Sequence, residues 1–176
     1  MVRKDLFGGA IVAELPHTLV DASDIRPVPD NQEVFMYPDS NASIIIEILE
    51  RVSESTDVEA VKCHFEALAH DNDAISSTMQ IPFVVHNDRG DRTPSPIILH
   101  GSQRIPKFNA VIPDDVDIQF ALFRVDSGGK TADIVVSANI PRSSEGGVGE
   151  VQAAAIASEF NTLVSSLRII DYDLFY

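Results

Sequence analysis

Residues 116–140 read "VDIQFALFRVDSGGKTADIVVSANI" and form the best hairpin candidate in the chain. Two runs rich in β-branched and aromatic residues, 116–125 and 132–140, enclose a short loop with adjacent glycines, which is the pattern of a β-hairpin. The second run alternates between apolar and polar residues, and this period of two predicts a strand with one buried face. The apolar positions are Ala132, Ile134, Val136, Ala138 and Ile140, and the polar positions are Asp133, Ser137 and Asn139. We therefore expect a sheet built around this hairpin.

Two helices are expected outside the hairpin. Thr56 and Glu59 have the spacing of a capping box, and apolar residues follow at intervals of three and four, which predicts a helix that ends near His70. Apolar residues also recur at helical spacing within 149–167, with polar residues on the opposite side. This second segment predicts a long amphipathic helix that packs on the sheet.

The remaining apolar runs predict further strands. The segment 6–15 is expected to be one strand with a bulge at its glycine pair, and 33–37 a short strand. The segment 41–52 fits a strand because of its three isoleucines, although Ile45, Leu49 and Val52 would also line one helical face. We favour the strand, paired with 33–37 as a hairpin.

Two more strands are predicted at 79–86 and 96–108. Together, about six strands that meet mostly by hairpins and two substantial helices predict an α+β fold with an antiparallel sheet. A chain of 176 residues has the size of one domain, so we expect a single domain over 1–176.

The charge of the chain limits its partners. It carries 27 Asp and Glu against 13 Lys and Arg, a net charge of −14, so its field repels phosphate backbones and attracts basic surfaces. We expect no nucleic-acid partner. No run approaches the ~18 apolar residues that a membrane-spanning helix needs, so no membrane partner is expected either. A solvated acidic surface would explain the charge without any specific partner.

The sequence offers no catalytic centre. "SGGKT" (127–131) lacks the earlier glycine of a phosphate-binding loop and joins two strands instead of opening a helix. His64 and His70 are six residues apart, so they cannot bind one metal from the same helix face. Cys63, the one cysteine, excludes an intrachain disulfide. We expect no metal, no cofactor and no enzymatic activity.

The densest polar strip is "RPVPDNQEVF", residues 26–35. Asp30 and Glu33, with Asp21 and Asp24 just upstream, could direct their carboxylates toward a basic partner.

A local interpretation of the strip is equally consistent with its residues. In it, Asp30 caps a turn, Asn31 and Gln32 bond the backbone, and Arg26 pairs with a nearby acid. The residues alone leave both interpretations open.

Six segments carry a resemblance to a known family. They are "LFGGA" (6–10), "DASDIRPVPDNQEVF" (21–35), "SIIIEILE" (43–50), "HFEALAHDN" (64–72), "GSQRIPKFN" (101–109) and the hairpin "QFALFRV…TADIVVSANIP" (119–141). They follow each other in order along essentially the whole chain, which resembles the Ran guanine nucleotide release factors, the Mog family.

The resemblance implies a PsbP-like fold, an α/β/α sandwich with an antiparallel sheet between helices. It also implies a monomeric, non-enzymatic regulator that binds the GTPase Ran and promotes release of its guanine nucleotide. Such a protein supports nuclear protein import, works in the nucleus and cytoplasm, and has a second Ran regulator as a candidate further partner. An adaptor that binds Ran or another basic partner without affecting nucleotide exchange is the alternative.

The resemblance also assigns the site. In this family the acidic residues of the strip contribute to Ran binding, which implies that Asp30 and Glu33 do so here. Asp24 and Arg26 are weaker additions to the same partner-binding site.

Overall fold

The chain folds into strands and two helices, as an α+β protein. The structure, a computed structural model, describes residues 1–106, 112–143 and 145–175. The strands within these residues are β1 (Val2–Leu6), β2 (Ile11–Leu15), β3 (Val20–Asp21), β4 (Gln32–Met36), β5 (Ser43–Leu49), β6 (Ser76–Met79), β7 (Phe83–Val84), β8 (Ile97–Ile105), β9 (Asp114–Ser127), β10 (Lys130–Pro141) and β11 (Arg168–Ile169). The helices are α1 (Asp57–Asp71) and α2 (Glu150–Ser166).

Most of the strands belong to one large antiparallel sheet. Its order is β3-β4-β5-β10-β9-β8-β6, and β7 also pairs with β8. The α+β class is confirmed, but the sheet has eight strands, more than the six or so that the sequence predicted. The difference lies in β3, which was not predicted, and in β6 and β7, which the sequence predicted as one strand over 79–86. These three strands have only two to four residues and are too short to show a clear alternation.

The predicted central hairpin is confirmed. β9 and β10 pair without interruption from Ser127↔Lys130 to Val116↔Pro141. The turn between them consists of Gly128 and Gly129, with φ of 62° and 83°. A two-residue turn with positive φ at both positions matches the right-handed twist of the strands, and glycine adopts it without strain.

Both faces of the large sheet are covered, which corrects the expectation of one buried face. Asp133 and Ser137, polar positions of β10, are only 0% and 2% exposed. α1 packs on β8 and β9 over this face, whereas α2 packs on β10 and β2 over the other. The alternation along β10 indicated an exposed polar face, but a carboxylate can be buried when it is paired, and Asp133 is paired.

The N-terminal segment forms a hairpin, so the single bulged strand predicted over 6–15 was wrong. Phe7–Gly9 form a 3₁₀ turn in which Gly8 and Gly9 have φ of 66° and 93°. β1 and β2 pair on either side of it, and β11 completes a three-stranded sheet that packs on α2. A glycine pair suits a bulge and a turn equally well, and only the pairing of the flanking strands separates them.

The predictions for the start of α1, for 41–52 and for 96–108 hold in the described residues. Thr56 Oγ1 accepts a hydrogen bond from Glu59 N at 3.2 Å, which caps α1 as expected. Residues 41–52 contain β5, not a helix, and β5 pairs with β4. The predicted strand 96–108 is β8 in its described part, and residues 107–108 lie outside the described residues. No helix in the described part of the chain is long and apolar enough to cross a membrane.

Candidate partner-binding surface

The tip of the polar strip is a tight turn at one end of the large sheet. Gln32 N donates to Pro29 O at 2.9 Å, which places Asp30 and Asn31 at the turn. The turn is fixed to β5, because Ile48 N donates to Asn31 O at 2.9 Å and Asn31 Nδ2 donates to Ile48 O at 3.2 Å. Asp30 therefore stands on a rigid support.

The Asp30 side chain projects into solvent. It is exposed, and no described residue forms a hydrogen bond or ion pair with its carboxylate. The turn is closed by backbone groups, so the carboxylate does not cap it. An exposed carboxylate on a fixed turn can bind a cation supplied by another molecule.

Glu33 lies in β4 and is partly committed to the fold. Its Oε1 accepts a hydrogen bond from Phe7 N at 2.6 Å, and the side chain is half-buried. Phe7 has a φ of 49°, which a residue other than glycine rarely adopts. One oxygen of Glu33 thus holds the β1–β2 turn in place. No described residue donates to the other oxygen, so Glu33 can still contribute charge to a partner.

Arg26 lies on a different side of the strip from Glu33. Arg26 lines a shallow groove with Val34 and Met36 of β4, and successive residues of a strand point to opposite faces, so Glu33 faces away from it. Both Arg26 and Asp24 are exposed and have no side-chain partner among the described residues. The expected pairing of Arg26 with a nearby acid is absent there. The strip therefore forms two surfaces, one that carries Glu33 and one that carries Arg26, and they meet at the Asp30 turn.

Asp21, the remaining acid near the strip, is occupied within the protein. It accepts hydrogen bonds from Ser23 N and Ser23 Oγ at 3.0 and 2.7 Å and from Lys4 Nζ at 3.3 Å. Burial alone would raise the pKa of Asp21, but the hydrogen bonds from Ser23 and Lys4 lower it below the ordinary value. The Ser23 contact follows from an Asp–x–Ser spacing typical of a cap. The Lys4 contact has no local signal in the sequence.

A buried polar cluster on the α1 face is structural. His64 Nε2 lies 2.7 Å from Asp133 Oδ2, and Arg124 Nε lies 3.4 Å from Asp133 Oδ1. Val52 N also donates to Asp133, at 3.1 Å, while the Arg124 guanidinium donates to the Val52 and Glu54 carbonyls. Burial raises the pKa of Asp133, but the hydrogen bonds from His64 and Val52 and the charge of Arg124 lower it overall. These groups satisfy one another and fix the segment before α1 onto the sheet.

The surface presents carboxylates, which can bind cations. The "SGGKT" segment forms the β9–β10 turn, as predicted. Among the described residues, no group of three or more His, Cys, Asp or Glu is placed to hold a metal ion. What the strip presents is an exposed carboxylate on a rigid turn, with a second carboxylate close by in sequence on β4.

Comparisons with known proteins place this chain in a family. A family model described as "Ran-interacting Mog1 protein" matches residues 4–141. The chain belongs to the Mog1 family. This confirms the resemblance seen in the sequence.

Relatives within the Mog1 family match over different shares of the chain. The Ran guanine nucleotide release factor of Danio rerio is 34% identical over 184 residues, 99% of this chain and 100% of that protein. The nuclear import protein mog1 of Schizosaccharomyces pombe is 46% identical over 70 residues, 39% of this chain and 37% of that protein. The crystal structure of the Saccharomyces cerevisiae Ran-binding protein Mog1p shares the fold, with a TM-score of 0.68, 23% identity and complete coverage of both chains.

Proposed function

We propose that this protein binds Ran, promotes release of its guanine nucleotide and thereby supports nuclear protein import. The observation that carries the proposal is the relationship over nearly the whole chain, 34% identity across 99% of its length, to a protein named Ran guanine nucleotide release factor. The name of the S. pombe relative adds nuclear import. In this proposal, residues 1–176 act as one monomeric Ran-binding domain in the nucleus and cytoplasm, which a second Ran regulator can join.

Asp30 is the main contact in the proposed interface. Its carboxylate is exposed and unpaired among the described residues, whereas Glu33 offers one oxygen and uses the other to hold Phe7. Asp24 and Arg26 are outer contacts, and Arg26 faces the other side of the strip. A net charge of −14 draws a basic surface toward these residues and opposes nucleic acid and anionic membranes as partners.

The proposed mechanism needs no catalytic group, so the protein is not an enzyme. A small GTPase holds its nucleotide through a lysine, backbone amides and Mg²⁺ around the phosphates. A protein that binds the nucleotide-free state more tightly than the loaded state must weaken nucleotide binding by the same factor. The carboxylates of Asp30 and Glu33 pair with basic residues near the nucleotide and compete with contacts that the phosphates normally make.

The proposal is tested by release of a fluorescent GDP analogue from Ran at increasing concentrations of this protein. We expect saturable acceleration that Asp30→Lys largely removes. Glu66→Lys changes the net charge equally at an exposed position of α1 and should retain the acceleration of nucleotide release. Binding without acceleration would favour the adaptor alternative, and absence of binding would reject the proposal.

A further inference from the structure

A groove with a volume of about 460 Å³ opens beside Asp30. The turn of Asp30 and Asn31, the end of β5, the start of β10 and the C-terminal segment enclose it. Its walls are mostly apolar, formed by Ile48, Leu49, Ala132, Leu174 and Phe175. The groove is large enough for one long side chain of a partner.

Two carboxylates without partners stand at this groove. Asp30 and Glu50 both line it, both are exposed, and neither has a hydrogen bond or ion pair with a described residue. Other acids of the same region are occupied: Glu47 accepts from Gln32 at 2.6 Å, and Asp173 pairs with Lys130 at 2.8 Å. Two uncompensated negative charges are thus located at the groove.

The C-terminal wall of the groove is held in place before any partner arrives. Phe175 is 1% exposed, and its ring contacts Tyr172 with centroids 6.0 Å apart. Arg92 lies over the Tyr172 ring at 4.4 Å, and Lys130 holds Asp173. A preformed wall loses little conformational entropy on binding.

Apolar walls with carboxylates at the opening suit one kind of side chain. Lysine and arginine carry a cation on an aliphatic stem, and the stem packs on apolar surface while the cation pairs with carboxylates. We propose that this groove receives a lysine or arginine side chain of Ran, whose cation lies between Asp30 and Glu50. The inference rests on the proposed function and extends the Ran-binding surface to Glu50 and the C-terminal segment.

The test compares Kd values for purified Ran, measured with the full chain, with the Asp30→Lys variant and with three further variants. Glu50→Lys reverses the charge at the groove, and Thr131→Phe, at an exposed lining position, fills it without changing charge. We expect each to weaken binding tenfold or more. Glu66→Lys, the matched charge control on α1, should stay within twofold, and thermal unfolding should show that all variants fold.

The outcomes separate the inference from the proposed function. If Asp30→Lys weakens binding but Glu50→Lys and Thr131→Phe do not, Ran binding stands and the groove is not part of it. If Thr131→Phe alone weakens binding, an uncharged group occupies the groove and the basic side chain is rejected. If the unmodified protein does not bind Ran, the proposed function fails, and this inference fails with it.

Discussion

Replacing Glu33 by alanine should destabilise the fold, apart from any effect on a partner. The substitution removes the acceptor of the 2.6 Å hydrogen bond from Phe7 N. A hydrogen bond to a charged group contributes about 1.5–3 kcal/mol, and the half-buried position of Glu33 favours the lower part of that range. Phe7 also has a φ of 49°, which costs about 1–2 kcal/mol and persists because the turn is held. We therefore expect a loss of about 1.5–2 kcal/mol.

Urea and thermal unfolding measure this loss directly. For a protein of this size, each kcal/mol lowers Tm by about 2–4 °C, so Glu33→Ala should melt about 3–8 °C below the unmodified protein. Glu33→Gln keeps an oxygen acceptor and should lose about half as much or less. An unchanged midpoint for Glu33→Ala would refute the structural role. The glutamine variant is also the one that isolates the charge of Glu33 in a Ran-binding measurement.

Three further predictions concern the fold. Gly101→Ala should destabilise by about 1–3 kcal/mol in urea unfolding, because a Cβ there would lie 2.4 Å from Thr78 O and 2.5 Å from the Phe65 ring; an unchanged midpoint would contradict the close packing. Asp133→Ala should lower the free energy of unfolding by about 3–5 kcal/mol. The substitution leaves the buried His64 and Arg124 side chains without the carboxylate that they share. Because the pKa of Asp133 is lower in the folded protein than its ordinary value, its contribution is present above that ordinary value and is lost as pH falls through the folded pKa. The free energy of unfolding at acid pH should accordingly depend less on pH in Asp133→Asn than in the unmodified protein. Equal pH dependence of the two proteins would refute this role of Asp133. Ile81 is 91% exposed, so Ile81→Lys should change the free energy of unfolding by less than about 0.5 kcal/mol. The variant should also scatter less light on heating, because the lysine adds a charge to an uncharged segment at the edge of the sheet. A larger loss of stability would mean that Ile81 is packed.

The sequence predicted those elements whose signals are local. The β9–β10 hairpin follows from the alternation along 132–140, and the start of α1 follows from the Thr56–Glu59 box. The class of fold follows from counting such elements. The short strands β6 and β7 were merged into one prediction, 79–86, because two residues of β7 cannot show a period.

The sequence could not predict contacts between distant segments. Glu33 and Phe7 are 26 residues apart, and His64 and Asp133 are 69 apart. Nothing in either local pattern marks these pairs, so Asp133 was expected on an exposed face and Glu33 on the partner-facing surface alone. The groove at Asp30 likewise joins residues 30, 50 and 174, which only the folded sheet brings together.

The proposed function requires that this protein binds nucleotide-free Ran more tightly than nucleotide-loaded Ran. The most direct measurement is the Kd of this protein for nucleotide-free Ran and for GDP-loaded Ran under the same conditions. We expect tighter binding to nucleotide-free Ran, by the same factor by which this protein weakens GDP binding to Ran. Equal affinity for the two forms would contradict it, since a protein that binds both states equally cannot shift the equilibrium between them.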